Sequence, residues 1–221
     1  MLKEVKALLY KELLLEWRQR TTFNAMLLYL GSTIMVCYLS LGVRGSALQA
    51  PLWNALLWII LLFGAVSAVA KSFIQESEGR LLYLYTLASP QSIIIAKMIY
   101  NVLLMLVLST GSVLLYSLVL GNPVKDWPLF SIALGLGAVG FSATFTLLSA
   151  IAQKAGNNST LVPVLGFPVV LPTLLMSIKV AKNAMDGLAR NTSTQEIITL
   201  LAINAIVITV SLLLFPYVWR S

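Results

Sequence analysis

The side chains that usually carry chemistry are scarce in this chain. It has no histidine, which removes the usual general base, the commonest metal ligand and the usual haem ligand. Cys37 is the only cysteine, so neither an intrachain disulfide nor a thiolate metal cluster can form. Set in an apolar run, Cys37 reads as a small inert hydrophobe. No Ser/His/Asp or Cys/His constellation can be assembled, which argues against an independent hydrolase. Gly135-Leu-Gly-Ala-Val-Gly140 matches the dinucleotide pattern G-x-G-x-x-G. That pattern needs a preceding strand and an acidic residue about 20 positions on. Here it lies in an uncharged run, and position 160 is Thr160. Small residues at Ser131, Gly135, Ala138, Ser142 and Thr146 suit close helix packing instead. A G-x-x-x-x-G-K-[ST] phosphate loop is missing too, so the chain offers no nucleotide site. No cofactor is assigned to it.

The elements that must position the remaining residues follow from solvent. Of 221 residues, 59% are hydrophobic and 10% charged, with a mean hydropathy of +0.90. A soluble domain carries about 25% charged residues, so the expected solvent is itself apolar. The net charge of +7 then reflects loops facing anionic lipid rather than a nucleic-acid partner. Six runs lack Asp, Glu, Lys and Arg: 21–43, 45–70, 98–124, 127–153, 155–178 and 197–219. Each exceeds the roughly 20 residues that cross a hydrocarbon core of about 30 Å. The expected fold is an all-α membrane protein with six transmembrane helices. It forms a single permease domain over 1–221, with spans at about 22–43, 50–70, 98–120, 128–152, 159–178 and 197–219. Ten Lys and Arg fall on the side that holds both termini and five on the other, which predicts cytoplasmic termini. None of the six runs carries a formal charge at its centre, which disfavours ion-coupled transport and favours an external energy source. The polar residues within them are Asn54, Asn101, Asn204 and several Ser and Thr.

Three segments stand out within that frame. Leu2, Val5, Leu9, Leu13 and Trp17 recur at helical spacing before the first span, with Lys3, Lys6, Lys11, Arg18 and three glutamates mostly elsewhere. This predicts an interfacial elbow helix that enters the membrane near Thr21 and Thr22; the plainer reading is a cytoplasmic extension of span one. Between spans two and three, Glu76 and Glu78 precede Gly79, and Leu81, Leu84 and Leu87 then recur up to Pro90. Glycine and proline bracket a short amphipathic helix that either docks into a partner's groove or is an ordinary loop helix. Span five carries Pro163, Pro168 and Pro172 with Gly166 between them, so a kinked or broken helix is expected, either as a gate or as a packing kink. After it, Ile178, Ala181, Met185 and Leu188 share a face, predicting a short interfacial or re-entrant helix, or else a solvated turn.

Glu78, Gly79, Leu81, Leu84, Leu87, Pro90 and Lys97 reproduce a pattern of the ABC type-2 exporter permeases, which the chain resembles end to end in span order and length. The Pro163/Pro168/Pro172 segment is similar to that of the cytochrome c maturation permeases, the CcmB or haem exporter B family. The split of Glu76 and Glu78 by Ser77 departs from the denser charged cluster of many relatives. The resemblance implies a non-catalytic bacterial inner-membrane subunit whose elbow helix and coupling loop contact a separate ABC ATPase. It also implies a haem-handling membrane partner, a haem chaperone and, because the ATPase is dimeric, two membrane halves and hence a homodimer. ATP hydrolysis would reside in the partner. A permease for a lipid, glycan or drug, and a scaffold that transports nothing, are the alternative readings. With Cys37, a Met such as Met105, or a Tyr as the only available axial ligands, haem ligation is expected on partner subunits.

Overall fold

The computed structural model describes residues 1–41, 48–69, 72–73, 88–155 and 160–220. Helices α1 (Leu2–Gln19), α2 (Thr21–Leu41), α3 (Ala50–Val69), α4 (Pro90–Leu120), α5 (Trp127–Lys154), α6 (Leu161–Asp186) and α7 (Thr194–Arg220) follow in order, with a 3-10 turn at Arg190–Ser193. The described residues are helical throughout their regular structure, and six helices are long and apolar enough to cross a membrane. That is the arrangement hydrocarbon demands, since a helix satisfies its backbone polar groups internally.

Local sequence sets the helix ends. Arg20 adopts a left-handed conformation (φ 51°) and turns the chain from α1 directly into α2. Ser89 caps α4 by accepting from the Ser92 amide at 3.4 Å, with Pro90 at the first position, where its missing N–H costs nothing. This start lies eight residues before the uncharged run, so α4 has 31 residues and its first turns carry Lys97. Asp126 caps α5 by accepting from the Leu129 amide at 3.2 Å. α6 runs unbroken past Pro168 and Pro172 to Asp186, where Gly187 closes it at φ 71°. A separate helix after span five is therefore absent among the described residues. Lys179 and Lys182 point outward while Val180, Ala181, Ala184 and Met185 stay buried, so the amphipathic face around Ile178 is the end of α6 itself.

α5 is the centre of the bundle and packs on α3, α4, α6 and α7. In its most apolar window 72% of residues are buried, against 17% for α2 and α7, which leave broad apolar faces outward. Small residues explain the position, because they let neighbouring backbones approach. A Cβ added at Gly137 would stand 2.7 Å from the Trp58 ring of α3, and one at Gly140 would stand 2.6 Å from Thr173 of α6 and 2.5 Å from Asn204 of α7. Only the later glycines of the G-x-G-x-x-G run make this contact, since Gly135 faces open space. In the same layer Trp58 Nε1, Thr173 Oγ1, Ser177 Oγ and Asn204 Oδ1 are buried with no hydrogen-bond partner among the described residues. Toward the far end, Trp53 meets Tyr116 edge to face at 4.9 Å and donates from Nε1 to Gly121 O at 2.9 Å.

Gly140→Val should therefore lower the thermal midpoint in detergent, with about 1–3 kcal/mol of overpacking. Gly135→Ala should hold or raise it, because alanine favours the helix by about 1 kcal/mol. Equal midpoints for the two variants would refute the close approach at Gly140.

Candidate functional site at the elbow end of the bundle

The acids of α1 define the site. Glu4, Glu12 and Glu16 are separated by eight and four residues, which places them on one side of the helix. That side, rather than the apolar stripe, docks on α4. Val5 is buried and Leu9 half-buried, but Leu13 is 43% exposed and Trp17 76% exposed. The later part of the stripe, Leu13 and Trp17, thus faces away from the bundle, while Val5 at its beginning is covered.

Each glutamate makes a separate tether. Glu4 Oε2 accepts from the Ser89 amide at 3.2 Å and from Ser89 Oγ at 3.1 Å. These donors, led by the Ser89 amide, hold the Glu4 carboxyl down to about 2. Glu12 Oε1 lies 3.2 Å from Lys97 Nζ. Glu16 Oε1 accepts from the Phe23 amide at 2.8 Å, covering a free donor in the first turn of α2, and its Oε2 accepts from Tyr100 Oη at 3.3 Å. Lys97 is 4% exposed, so its ammonium needs compensation on every side. Besides Glu12, it donates to Ser72 O at 2.9 Å and stands 4.9 Å from the centroid of the Phe73 ring.

A second, uncharged layer continues inward. Asn101 Nδ2 donates to Ser72 Oγ at 3.1 Å and to Thr146 Oγ1 at 2.8 Å, and Asn101 O accepts from Ser142 Oγ at 3.0 Å. The Phe73 amide donates to Ser149 Oγ at 2.9 Å, and the Phe73 ring packs on Phe215, which stacks on Trp219. Ser72 and Phe73 are thereby fastened to α4, α5 and α7, and Ser89 to α1.

These residues bracket the predicted coupling loop. Glu76, Glu78, Gly79, Leu81, Leu84 and Leu87 lie outside the described residues, while Pro90 opens α4. Of the span-five residues, Pro163, Pro168 and Pro172 are exposed on the outer side of α6. Gly166 is buried, and a Cβ there would stand 2.7 Å from the Phe145 ring of α5. The structure does not bring the three prolines together around an interior path; it separates them from the buried Gly166.

At the opposite end, Asp126 receives a two-pronged contact from Arg190, Nε to Oδ2 at 2.8 Å and Nη2 to Oδ1 at 3.1 Å. Arg190 holds the Asp126 carboxyl below its usual range, with help from the Leu129 amide, and Asp126 in turn raises the guanidinium. This clamp joins the α4–α5 connection to the 3-10 turn before α7. The apolar-stripe reading missed it, as it missed the Glu12–Lys97 pair. The available signals were Asp126 ahead of Trp127-Pro128, a helix-start signature, and the eight-and-four spacing of the α1 acids.

Glu12→Ala should destabilise the chain by about 3 kcal/mol, because it strips a carboxylate from a buried ammonium. Lys97→Met, similar in size and apolar, should cost less, since Glu12, whose side chain is 15% exposed, also has Lys11 at 3.1 Å. Thermal midpoints in detergent check this order, and a larger loss for Lys97→Met would reverse the assignment.

No curated protein matches the chain. The family described as CcmB protein matches residues 3–219, nearly the whole length of the seven helices. The chain belongs to the CcmB family, the membrane component of the cytochrome c maturation haem-export system.

Proposed function

We propose that this subunit couples a separate ABC ATPase to haem delivery or to release of a haem chaperone. Family membership implies partnership with such an ATPase. The observation that carries the coupling reading is the double anchorage of the loop: Ser72 and Phe73 precede it, Ser89 follows it, and all three are fastened to α1, α4, α5 or α7. A displacement applied between positions 74 and 87 would reach four helices through hydrogen bonds and ring contacts. The docking residues on this reading are Glu76, Glu78, Gly79, Leu81, Leu84 and Leu87, with Pro90 starting the helix that receives the motion. Leu9, Leu13 and Trp17 hold the elbow helix at the membrane interface, which the outward placement of Leu13 and Trp17 favours. Pro163, Pro168 and Pro172 allow α6 to bend about its Gly166 contact. Family membership favours cytochrome c maturation over a lipid, glycan or drug cargo and over a pure scaffold.

On this reading haem is cargo of the system rather than a group resident in this subunit. Met105 is buried in the bundle core and Cys37 packs against it, so neither side chain stands free for axial ligation, and histidines from partners are the expected ligands.

Leu84→Asp should abolish co-purification of the ATPase and cytochrome c maturation while the chain still inserts, because a buried charge at an interface costs several kcal/mol. Unchanged co-purification would place the docking surface elsewhere.

For localisation, the reading is a bacterial inner-membrane protein with both termini cytoplasmic. On a Cys37→Ser background, Lys182→Cys should react with an impermeant thiol reagent added from outside. Reaction only from the cytoplasmic side would invert the orientation.

A further inference from the structure

α6 carries two backbone acceptors that its own helix cannot use. Pro168 and Pro172 lie inside it and have no N–H. The carbonyls deprived of those donors, four residues earlier, belong to Val164 and Pro168. A helical carbonyl is directed at the residue four positions on, so both lie along the strip through Val164, Pro168 and Pro172. That strip is exposed, on the side of α6 opposite the buried Gly166. No side chain of a described residue donates to either carbonyl. The two stand about 5 and 10 Å in from the start of α6 at the elbow end, inside the uncharged run 155–178.

Three of the possible coverings fail on chemistry. Hydrocarbon has no donor to offer, and an unsatisfied backbone group is costly there. Bound water needs two or more polar partners, and the exposed side chains along the strip, Val164, Leu165, Phe167 and Leu175, are all apolar. A second copy of this chain brings few donors, because a hydroxyl has one proton and those of its outer faces are engaged. Ser32 donates to Tyr29 O at 3.0 Å, Thr110 to Leu106 O at 2.8 Å, Ser131 to Trp127 O at 2.8 Å and Thr209 to Ala205 O at 2.7 Å. Other exposed donors, such as Asn24, Ser67 and Tyr217, sit within a turn of a helix end, whereas the Pro168 carbonyl is two turns in.

We propose that this strip of α6 docks a membrane helix of a different protein, one that presents a side-chain N–H or O–H to the carbonyls of Val164 and Pro168. The apolar side chains around them supply contact area, and the two acceptors fix the depth at which the partner's donor must lie. The prolines thus serve as a recognition feature, since they free the acceptors that the partner reads.

The test uses the full tagged chain in the membranes of its own cell. A photoreactive phenylalanine analogue replaces Val164 or, as a comparison two turns into α2, the 77% exposed Leu28. Irradiation at 164 should give an adduct with a different membrane protein. Fragmentation should place the cross-link on a membrane helix of that protein, within one turn of a Ser, Thr, Asn, Gln, Tyr or Trp. Pro168→Ala combined with Pro172→Ala returns a helix donor to both carbonyls. It should lower the adduct several-fold while the thermal midpoint of the chain alone in detergent holds or rises. If that midpoint falls instead, Pro172→Ala alone carries the comparison, because it restores the donor for the Pro168 carbonyl. Pro163→Ala should leave the adduct unchanged, since Pro163 lies in the first turn of α6, where a missing N–H costs nothing. Adducts with lipid only, or between two differently tagged copies of this chain, overturn the proposal. So does an equal yield of the same adduct from Leu28, or a yield indifferent to the alanine variants.

Discussion

Hydrocarbon offers no hydrogen-bond partner, and the rest of this structure answers to that fact. The backbone answers by being helical in each of the six long apolar segments. Side chains answer by location. Asn101 is deep, and it reaches α5 through Thr146 and Ser142 and the segment after α3 through Ser72. Lys97 is buried yet lies only eight residues into α4, close enough to the helix end for Glu12 to reach it from α1. A buried ammonium further along would have had no acid to meet, since α4 has no Asp or Glu of its own.

The result is an uneven distribution of polar bonding along the bundle. At the elbow end, charge pairs and hydroxyl contacts are gathered as several tethers, from Glu4 on α1 to Ser149 on α5. In the middle, around Gly137 and Gly140, close packing is joined by a hydrogen bond from Asn204 Nδ2 to Leu136 O at 2.9 Å, and several other polar atoms go without a described partner. At the far end, Asp126 and Arg190 form a two-pronged pair. Close backbone approach therefore dominates the middle of the bundle, while charged pairs are confined to its two ends.

Much of the architecture was legible in the sequence because it depended on one-dimensional signals. Six uncharged runs longer than the bilayer is thick identify the membrane helices, and small residues along span four mark the helix on which the others close. The parts that escaped were relations between distant segments. Lys97 read as a basic foot of span three, and only the tertiary fold sets it against Glu12, 85 residues earlier. The α1 acids read as the solvated remainder beside an apolar stripe, whereas in a bilayer that stripe need not face protein. The same inversion applies to span five, where the eye falls on three prolines but the buried contact belongs to Gly166. In water, apolar pattern identifies the inward face; in lipid, polar and small residues do.

The Asp126–Arg190 clamp has a mechanical consequence. It grips the first residues of α5, whose 28 residues extend about 42 Å. Gripped at that end, α5 has the geometry of a lever with its fulcrum at the clamp. About 0.7 Å of travel accrues at the elbow end for each degree of tilt about that fulcrum, from the same length. Movements of a few ångströms beside Ser149 thus correspond to rotations of only a few degrees. Rotations that small leave the side chains at the clamp nearly where they are.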